Sequence, residues 1–433
     1  MSIPLDKLYH YIKDVVERIH GDHVIIYRFY PHGSKKIEDL TSLTSVDFWR
    51  DRKLAPEIYC NDQEPLNFDL YQNCNVNQPR TPVAKEIFEK YSIEFPKFNF
   101  RGEIMNIWDY ALLLHSEKRS DQVDLYRNTQ FIPVYYWSHA IIAQDWFRFA
   151  QHVTQKKQTT KTFLIYNRAW SGTREYRLRF AELLIHLNLQ DECQTSVNPV
   201  ESELGIHYET HKFKNTIWRP STVLEDFFPL NTAQSHYSAD FDLSDYESTN
   251  IEVVLETLFD DGRLHLTEKA LRPIACAQPF ILAGTHGSLK YLRSYGFKTF
   301  GDVWDESYDL VEDPAERLIQ IAELMKYISN WTPQMHEKNM AKAQTIADYN
   351  KKLFFSKEFS DTILSELTTN LTNAFNELEN NNTSQFWSHR KQVFEKYPEW
   401  NDYVNRQRTK EDQNVVIKKA QKYCIRNLNQ SGQ

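Results

Sequence analysis

The sequence predicts an α/β protein: two domains with mostly parallel sheets facing a cleft, followed by a helical C-terminal extension. Three observations lead there. Short apolar runs alternate with helical patterns in both halves of the chain, the order that covers a parallel sheet with helices. Each run hands over at its C-terminal end to polar or turn residues, where α/β proteins build their sites. From about Pro314 the strand-type runs stop, and helical periodicity takes over in ERLIQIAELMKYI, MAKAQTIADYNKKLF and DTILSELTTNLTNAFNELE.

Taken in order, Met1 leads into SIPLDKLYHYIKDVV, an amphipathic helix pattern without the apolar core of a signal peptide. Residues 24–27 (VIIY) read as a strand, and Pro31-His32-Gly33-Ser34 as the turn after it. Residues 56–60 (PEIYC) form a second strand that enters Asn61-Asp62-Gln63-Glu64-Pro65. Residues 131–136 (FIPVYY) form a third, entering Trp137-Ser138-His139 and then a helix through Phe149. The polar, aperiodic stretch 151–161 (QHVTQKKQTTK) reads as an interdomain linker, so the first domain is expected over 1–155. The second domain, 156–355, opens with a strand at 162–166 (TFLIY), enters Asn167-Arg168 and continues into a helix from about Thr173. Residues 235–250 (SHYSADFDLSDYESTN) are acidic and polar and read as a loop. The extension covers 356–433; Asn380-Asn381-Asn382 interrupts it, and its tail is aromatic, then basic from Arg406 to Arg426.

Composition narrows the function. A chain of 433 residues has room for two domains and an extension. The formal charge of −8 argues against coating nucleic acid non-specifically, which needs a broad basic face, and leaves room for a local basic groove. Cys60, Cys74, Cys193, Cys276 and Cys424 are scattered, odd in number and without a CxxC pair, the usage expected of reduced thiols in the cytoplasm. No run approaches the roughly 18 apolar residues of a membrane span. Glycine is scarce, at 11 residues, so Gly-rich nucleotide loops are mostly unavailable. Gly33, Gly172, Gly262, Gly284 and Gly287 therefore mark backbone positions to watch.

The most informative stretch is 251–284 (IEVVLETLFDDGRLHLTEKALRPIACAQPFILAG). An apolar run ends on Glu256, a turn follows at Asp260-Asp261-Gly262, Thr267-Glu268-Lys269 opens a helical pattern, and Pro279-Phe280-Ile281-Leu282 forms a second run. This strand–loop–helix–strand unit sets charged residues at a strand end and in a helix's first turn, where phosphate is favoured. Glu268 suits ribose hydroxyls and Lys269 suits a diphosphate. The segment resembles the donor-binding segment of GT-B glycosyltransferases, most closely the α-1,3-fucosyltransferase type. That pattern is a strand ending in Phe-Glu-Asn, then Thr-Glu-Lys, then a strand like Pro-Val-Val. Here Leu255-Glu256-Thr257, Thr267-Glu268-Lys269 and Pro279-Phe280-Ile281 stand in those places, with Thr257 for the asparagine and a longer turn. The resemblance implies a GT-B-like pair of Rossmann-like domains, the first binding the acceptor and the second a nucleotide sugar as co-substrate. It also implies an inverting transfer; with no His/Cys metal-ligand spacing in the sequence, catalysis without a metal is expected.

Each candidate has a bland alternative. Arg168, Arg174 and Arg177 follow the first strand of the second domain, as diphosphate-binding arginines do in the family, or they lie on a solvated helix. Arg263 and Arg272 are further candidates for the donor. Glu268 is either a ribose ligand or a first-turn glutamate favoured by the helix dipole. Glu256, ending an apolar strand, needs a partner or a function. A general base for the acceptor hydroxyl is expected in Asp62 or Glu64, with His139 as the rival; each also fits an ordinary turn or cap. Asp240-Phe241-Asp242 matches a metal-binding Asp-x-Asp but lies in the acidic loop and reads as solvated. No HExxH or His/Cys metal spacing occurs. Residues 61–69 (NDQEPLNFD), 137–140 (WSHA) and 296–300 (GFKTF) resemble blocks of glycosyltransferase-like proteins from large DNA bacteriophages. That resemblance implies the host's cytoplasm and two acceptors, a hydroxymethylated pyrimidine in phage DNA or a surface glycan. A non-catalytic glycosyltransferase-like binding protein is the alternative from another class.

Overall fold

The computed structural model describes residues 134–381, except 168, 202–204, 229–240 and 261. It also describes residues 11, 15, 18, 26–30, 57–61, 99–100, 103–104, 111–116 and 118. Asp62, Glu64, Arg168, Asp240 and the basic tail lie outside the described residues. The chain forms two compact units, Met1–Ser138 with Leu364–Gln433, and His139–Ile363. The division falls at Ser138/His139, where the sequence reading placed it near 155. The reason is helix α1 (Ala140–Trp146), which buries Ala140, Ile141, Ile142 and Ala143 and packs within the second unit. The 151–161 stretch lies inside the second unit and ends in a strand.

The first unit carries a four-stranded parallel sheet in the order β1 (Ile26–Tyr30), β2 (Glu57–Asn61), β5 (Ala111–His115), β6 (Val134–Tyr136). Chain order and spatial order agree, so these strands contain no reversal. A two-stranded antiparallel pair, β3 (Asn99–Phe100) and β4 (Glu103–Ile104), stands apart. The last described helix, α8 (Lys357–Asn381), begins in the second unit and ends in the first, so it is not a separate extension. Its far half holds β6: Tyr135 Oη donates to Glu377 (2.9 Å) and Asn370 to the Tyr136 carbonyl (2.7 Å).

The second unit has a parallel sheet in the order β10 (Phe280–Ala283), β9 (Thr249–Leu255), β7 (Lys161–Ile165), β8 (Cys193–Thr195). Along β9 only Asn250 is not fully buried, and all of β10 is buried. Such nearly unbroken burial belongs to parallel strands covered on both faces. The cover comes from helices: α2 (Tyr176–His186) packs with α6 (Pro314–Ser329), and α4 (Glu268–Ala275) packs with α1 and α7 (Pro333–Phe354). Two of these starts are written in the sequence. Asp313 and Thr332 cap α6 and α7, accepting from Glu316 N and Met335 N, with Pro314 and Pro333 as the first helical residues. The remaining helix of this sheet layer, α5 (Ser288–Ser294), starts after Gly287 at φ +82°, a conformation that favours glycine.

The expected loop at 235–250 contains a short helix, α3 (Leu243–Ser248), capped by Asp242 through Ser244 N (2.9 Å). Asp242 of the Asp-x-Asp is therefore a helix cap. Tyr246 of α3 reaches Glu252 (2.6 Å), the one carboxylate inside β9, and Arg272 of α4 reaches its other oxygen (2.5 Å). Burial is the largest influence and works against the Arg272 charge, but Glu252, Tyr246 and Tyr166 together hold the guanidinium pKa above its usual value. Arg272 also stacks on the Tyr166 ring at 4.2 Å. The sequence reading offered Arg272 to the donor; the structure commits it to this buried ion pair.

Candidate functional site

Strand order reverses between β7 and β9, since β8 lies on one side of β7 and β9 and β10 on the other. Open parallel sheets bind ligands at the carboxyl ends of strands flanking such a reversal. Asn167 follows β7 there and Thr257 follows β9. Both are buried, 4% and 5% exposed, and neither Asn167 Oδ1 nor Thr257 Oγ1 makes a hydrogen bond within the protein. A buried polar atom left unpaired costs about 1–3 kcal/mol. Two of them at one switch point call for an explanation, and a bound ligand's polar groups would supply it.

The loops on either side are braced from beneath. Arg177, in the first turn of α2, donates to the carbonyls of Ala169 (2.7 Å), Leu255 (2.5 Å) and Glu256 (3.2 Å). Tyr176 Oη adds a bond to the Glu256 carbonyl (2.6 Å), and its ring stacks on Phe259 at 4.2 Å. Arg317 of α6 donates to the carbonyls of Gly284 (3.1 Å), Val311 (2.6 Å) and Phe259. Desolvation brings its pKa down to about 10, so it remains a cation at neutral pH. These arginines hold carbonyl oxygens at the ends of β7, β9 and β10. Arg177, a candidate for the diphosphate on sequence, braces these carbonyls here. Arg174 does not share a helix face with it: it closes the 3₁₀ turn Gly172–Arg174 before α2 and stays half-buried, with Nε 3.3 Å from the Ser171 carbonyl.

Glu256 found the partner that its position demanded. Fully buried, it accepts from Thr267 N (3.0 Å) and Ala270 N (3.3 Å) on one oxygen. Its other oxygen accepts from Thr257 N (3.0 Å) and Thr267 Oγ1 (2.8 Å). An internal carboxylate thus sits at the start of α4, the place where a helix would otherwise attract a phosphate. Glu256, also a candidate for the donor on sequence, is bonded here as a pin between strand and helix.

The next two residues of α4 carry the charged cluster. Glu268 Oε1 pairs with Lys269 Nζ at 2.7 Å, and Glu268 Oε2 lies 3.9 Å from His139 Nδ1. The Glu268 and His139 side chains are 3% and 2% exposed. The buried His265 ring meets His139 edge-on at 5.1 Å. Three groups selected from sequence, His139, Glu268 and Lys269, are therefore brought together, although His139 lies before the second domain as first delimited. Helix α1 brings it there by packing on α4. Arg263 is buried in the same β9–α4 loop. His265 was not foreseen, and an isolated histidine between leucines gives no signal in sequence.

The chain from β8 to α3 is stitched to both loops that flank the switch point. Glu201, fully buried, accepts from Trp170 N and Ser171 N, both at 2.8 Å. Glu175 accepts from Lys214 N (3.0 Å) and pairs with His211 (2.9 Å). Trp218 Nε1 donates to Asp260 in the β9–α4 loop (2.8 Å). Among the described residues no cluster of three metal-ligating side chains occurs, and no helix is long and apolar enough to cross a membrane. Compared with family models, with curated proteins and with solved structures, the chain matches none.

Proposed function

We propose that this chain is a glycosyltransferase of GT-B-like architecture that binds a nucleotide sugar at the β7/β9 switch point. The observation that carries the reading is the coincidence, at one strand reversal, of unpaired Asn167 and Thr257 with the Glu268–Lys269 pair on the first turn of α4. The resemblance of Thr267-Glu268-Lys269 and its flanking strands to the fucosyltransferase type supports it independently. In this reading Asn167 and Thr257 hydrogen-bond the nucleoside, Glu268 binds ribose, and Lys269 turns to the diphosphate with Arg174 beside it.

The transfer is inverting and needs no metal. A base takes the acceptor's hydroxyl proton as its oxygen bonds to the anomeric carbon. The bond from that carbon to the diphosphate breaks, and the leaving group keeps the electron pair while the cations balance its charge. His139 is the base candidate that stands among the other site residues; Asp62 and Glu64 are its first-unit rivals. The acceptor is a hydroxymethylated pyrimidine in phage DNA or a sugar of a surface glycan.

The test is a thermal-shift screen against UDP, GDP, CDP and ADP sugars, with Glu268→Ala and Lys269→Ala alongside. A donor at about a hundredfold over its Kd stabilises by about 2.7 kcal/mol. A shift with one nucleotide, lost in both variants, is expected. No shift with any would remove the donor site and leave a glycosyltransferase-like binding protein as the better reading.

A further inference from the structure

The segment stitched across the switch point has an outward face of opposite character to the rest of the chain. Glu175 accepts from its Lys214 N, and Glu182 from its Ser221 N (2.7 Å) and Thr222 Oγ1 (3.0 Å), while the segment's own Glu201 and buried Trp218 bond Trp170 N and Asp260. The strap is therefore ordered by contacts on its inner side. Outward from it point Lys212, Lys214 and Arg219, all exposed. None of the three side chains makes an ion pair or a hydrogen bond to the described residues. The strap's acidic residues are mostly engaged elsewhere. Glu201 holds two backbone amides, Glu209 lies 3.7 Å from His207, and Glu225 bonds both His207 (2.8 Å) and Tyr208 (2.7 Å). Of its carboxylates among the described residues, only Asp226 stands exposed without such a partner. Half-buried Phe213 lies between Lys212 and Lys214 in the chain, with its ring edge-on to His211 at 4.8 Å, and Ile206 and Ile217 are exposed nearby in sequence.

We infer that this strap is a docking face for a single-stranded or locally unpaired nucleic-acid strand, with Lys212, Lys214 and Arg219 on phosphates and Phe213 against a base. The alternation of cation and aromatic is what such a strand requires, because phosphates and base faces alternate along it. In a chain of net charge −8 a local group of unpaired cations also orients the partner, since it draws a polyanion that the net charge of the chain repels. A neutral glycan would use the aromatic but gain nothing from three unpaired cations. The strap's inner side is bonded to the loops that flank the switch point, so on the glycosyltransferase reading a strand held on it is brought near that site. That last step rests on the glycosyltransferase reading; the binding itself does not.

The experiment uses the full chain and a labelled oligothymidylate of about fifteen nucleotides, followed by anisotropy over a range of salt concentrations. Each phosphate neutralised on a single strand contributes about 0.7 to the slope of log K against log salt. The triple variant Lys212→Ser/Lys214→Ser/Arg219→Ser should lower that slope by about 2. Phe213→Ser should weaken binding about tenfold with the slope unchanged, the effect of losing one stacked base. No binding by the unaltered chain at about 50 mM salt, or an unchanged slope in the triple variant, would overturn the inference. So would an unchanged affinity in Phe213→Ser, which would make the face a general polyanion site that takes sulfated glycans equally well. The donor screen separates the two proposals. If the triple variant loses the nucleotide-sugar shift, the cations belong to the donor and the strap inference fails. If no donor shifts the chain while the oligonucleotide binds as described, the transferase reading fails and the strap stands.

Discussion

Replacing Glu256 by glutamine removes a charge and little volume, so its effect isolates the pin between β9 and α4. The carboxylate accepts from Thr267 N, Ala270 N, Thr257 N and Thr267 Oγ1 at 2.8–3.3 Å, in a site with no exposure. The amide offers one acceptor oxygen. In its better orientation the oxygen keeps Thr267 N and Ala270 N, the NH₂ donates to the Thr267 hydroxyl, and Thr257 N is left unpaired. One unpaired buried donor costs about 1–3 kcal/mol, and the two remaining bonds each fall from charge-assisted to neutral strength. Relief from burying a charge offsets part of this, so the net loss is about 2 kcal/mol. Because the chain has two units, a single global melt is not a clean readout, and amide hydrogen exchange over residues 257–270 is the assay. A loss of that size speeds exchange about thirtyfold. Glu268→Gln, on the same turn, serves as the control and should leave this protection in place. Exchange unchanged in Glu256→Gln would refute the pin.

Two further outcomes follow from the same geometry. Lys157 donates to the carbonyls of Tyr246 (2.7 Å) and Thr249 (2.7 Å) and to Gln278 (2.6 Å), and burial brings its pKa down to about 8 from 10.5. Between those values the unfolded chain binds more protons, so stability rises with pH. Denaturation at pH values spanning this window should show the native chain gaining on Lys157→Met as pH rises, and a flat or falling difference would contradict the buried-lysine argument. A Cβ at Gly284 would stand 2.9 Å from Ser288 Oγ, a buried hydroxyl bonded to the Thr285 carbonyl at 2.5 Å. Gly284→Ala should therefore cost about 1–3 kcal/mol in denaturant unfolding. The double variant with Ser288→Ala should recover part of that loss, and strict additivity of the two changes would show that no clash occurs.

How much of this was legible in sequence depends on what kind of contact defines each feature. β7, β9 and β10 are apolar runs bounded by turn residues, and a reader of the chain finds them. β5 escapes because a run such as ALLLH has no period that separates strand from helix, and β8 because three residues, CQT, carry no pattern. α3 escapes because it has little apolar face; Asp242 and the Tyr246–Glu252 bond make it. In the site, the demand for a partner at Glu256 was legible, since an apolar strand cannot end comfortably on a lone carboxylate. The identity of that partner was not. Arg177 and Arg272 show why: sequence supplies the charge, while the fold decides whether it meets a phosphate, a carbonyl or Glu252. Glu175 and Glu201 were invisible for a related reason. Their partners are mostly backbone amides some distance along the chain, and every residue but proline has one.

Glu175, Glu201 and Glu256 share a further consequence. Nucleotide-binding α/β proteins commonly shape the equivalent turns with glycines and leave their amides open for a ligand's phosphates. Here the chain fills those amides with its own carboxylates, and with 11 glycines in all it has few to spare. Those internal bonds hold the described turns without a ligand. On the proposed reading, a donor entering the β7/β9 crevice spends less of its binding energy on ordering the protein. Its selectivity then comes from fit to Asn167, Thr257 and the Glu268 cluster.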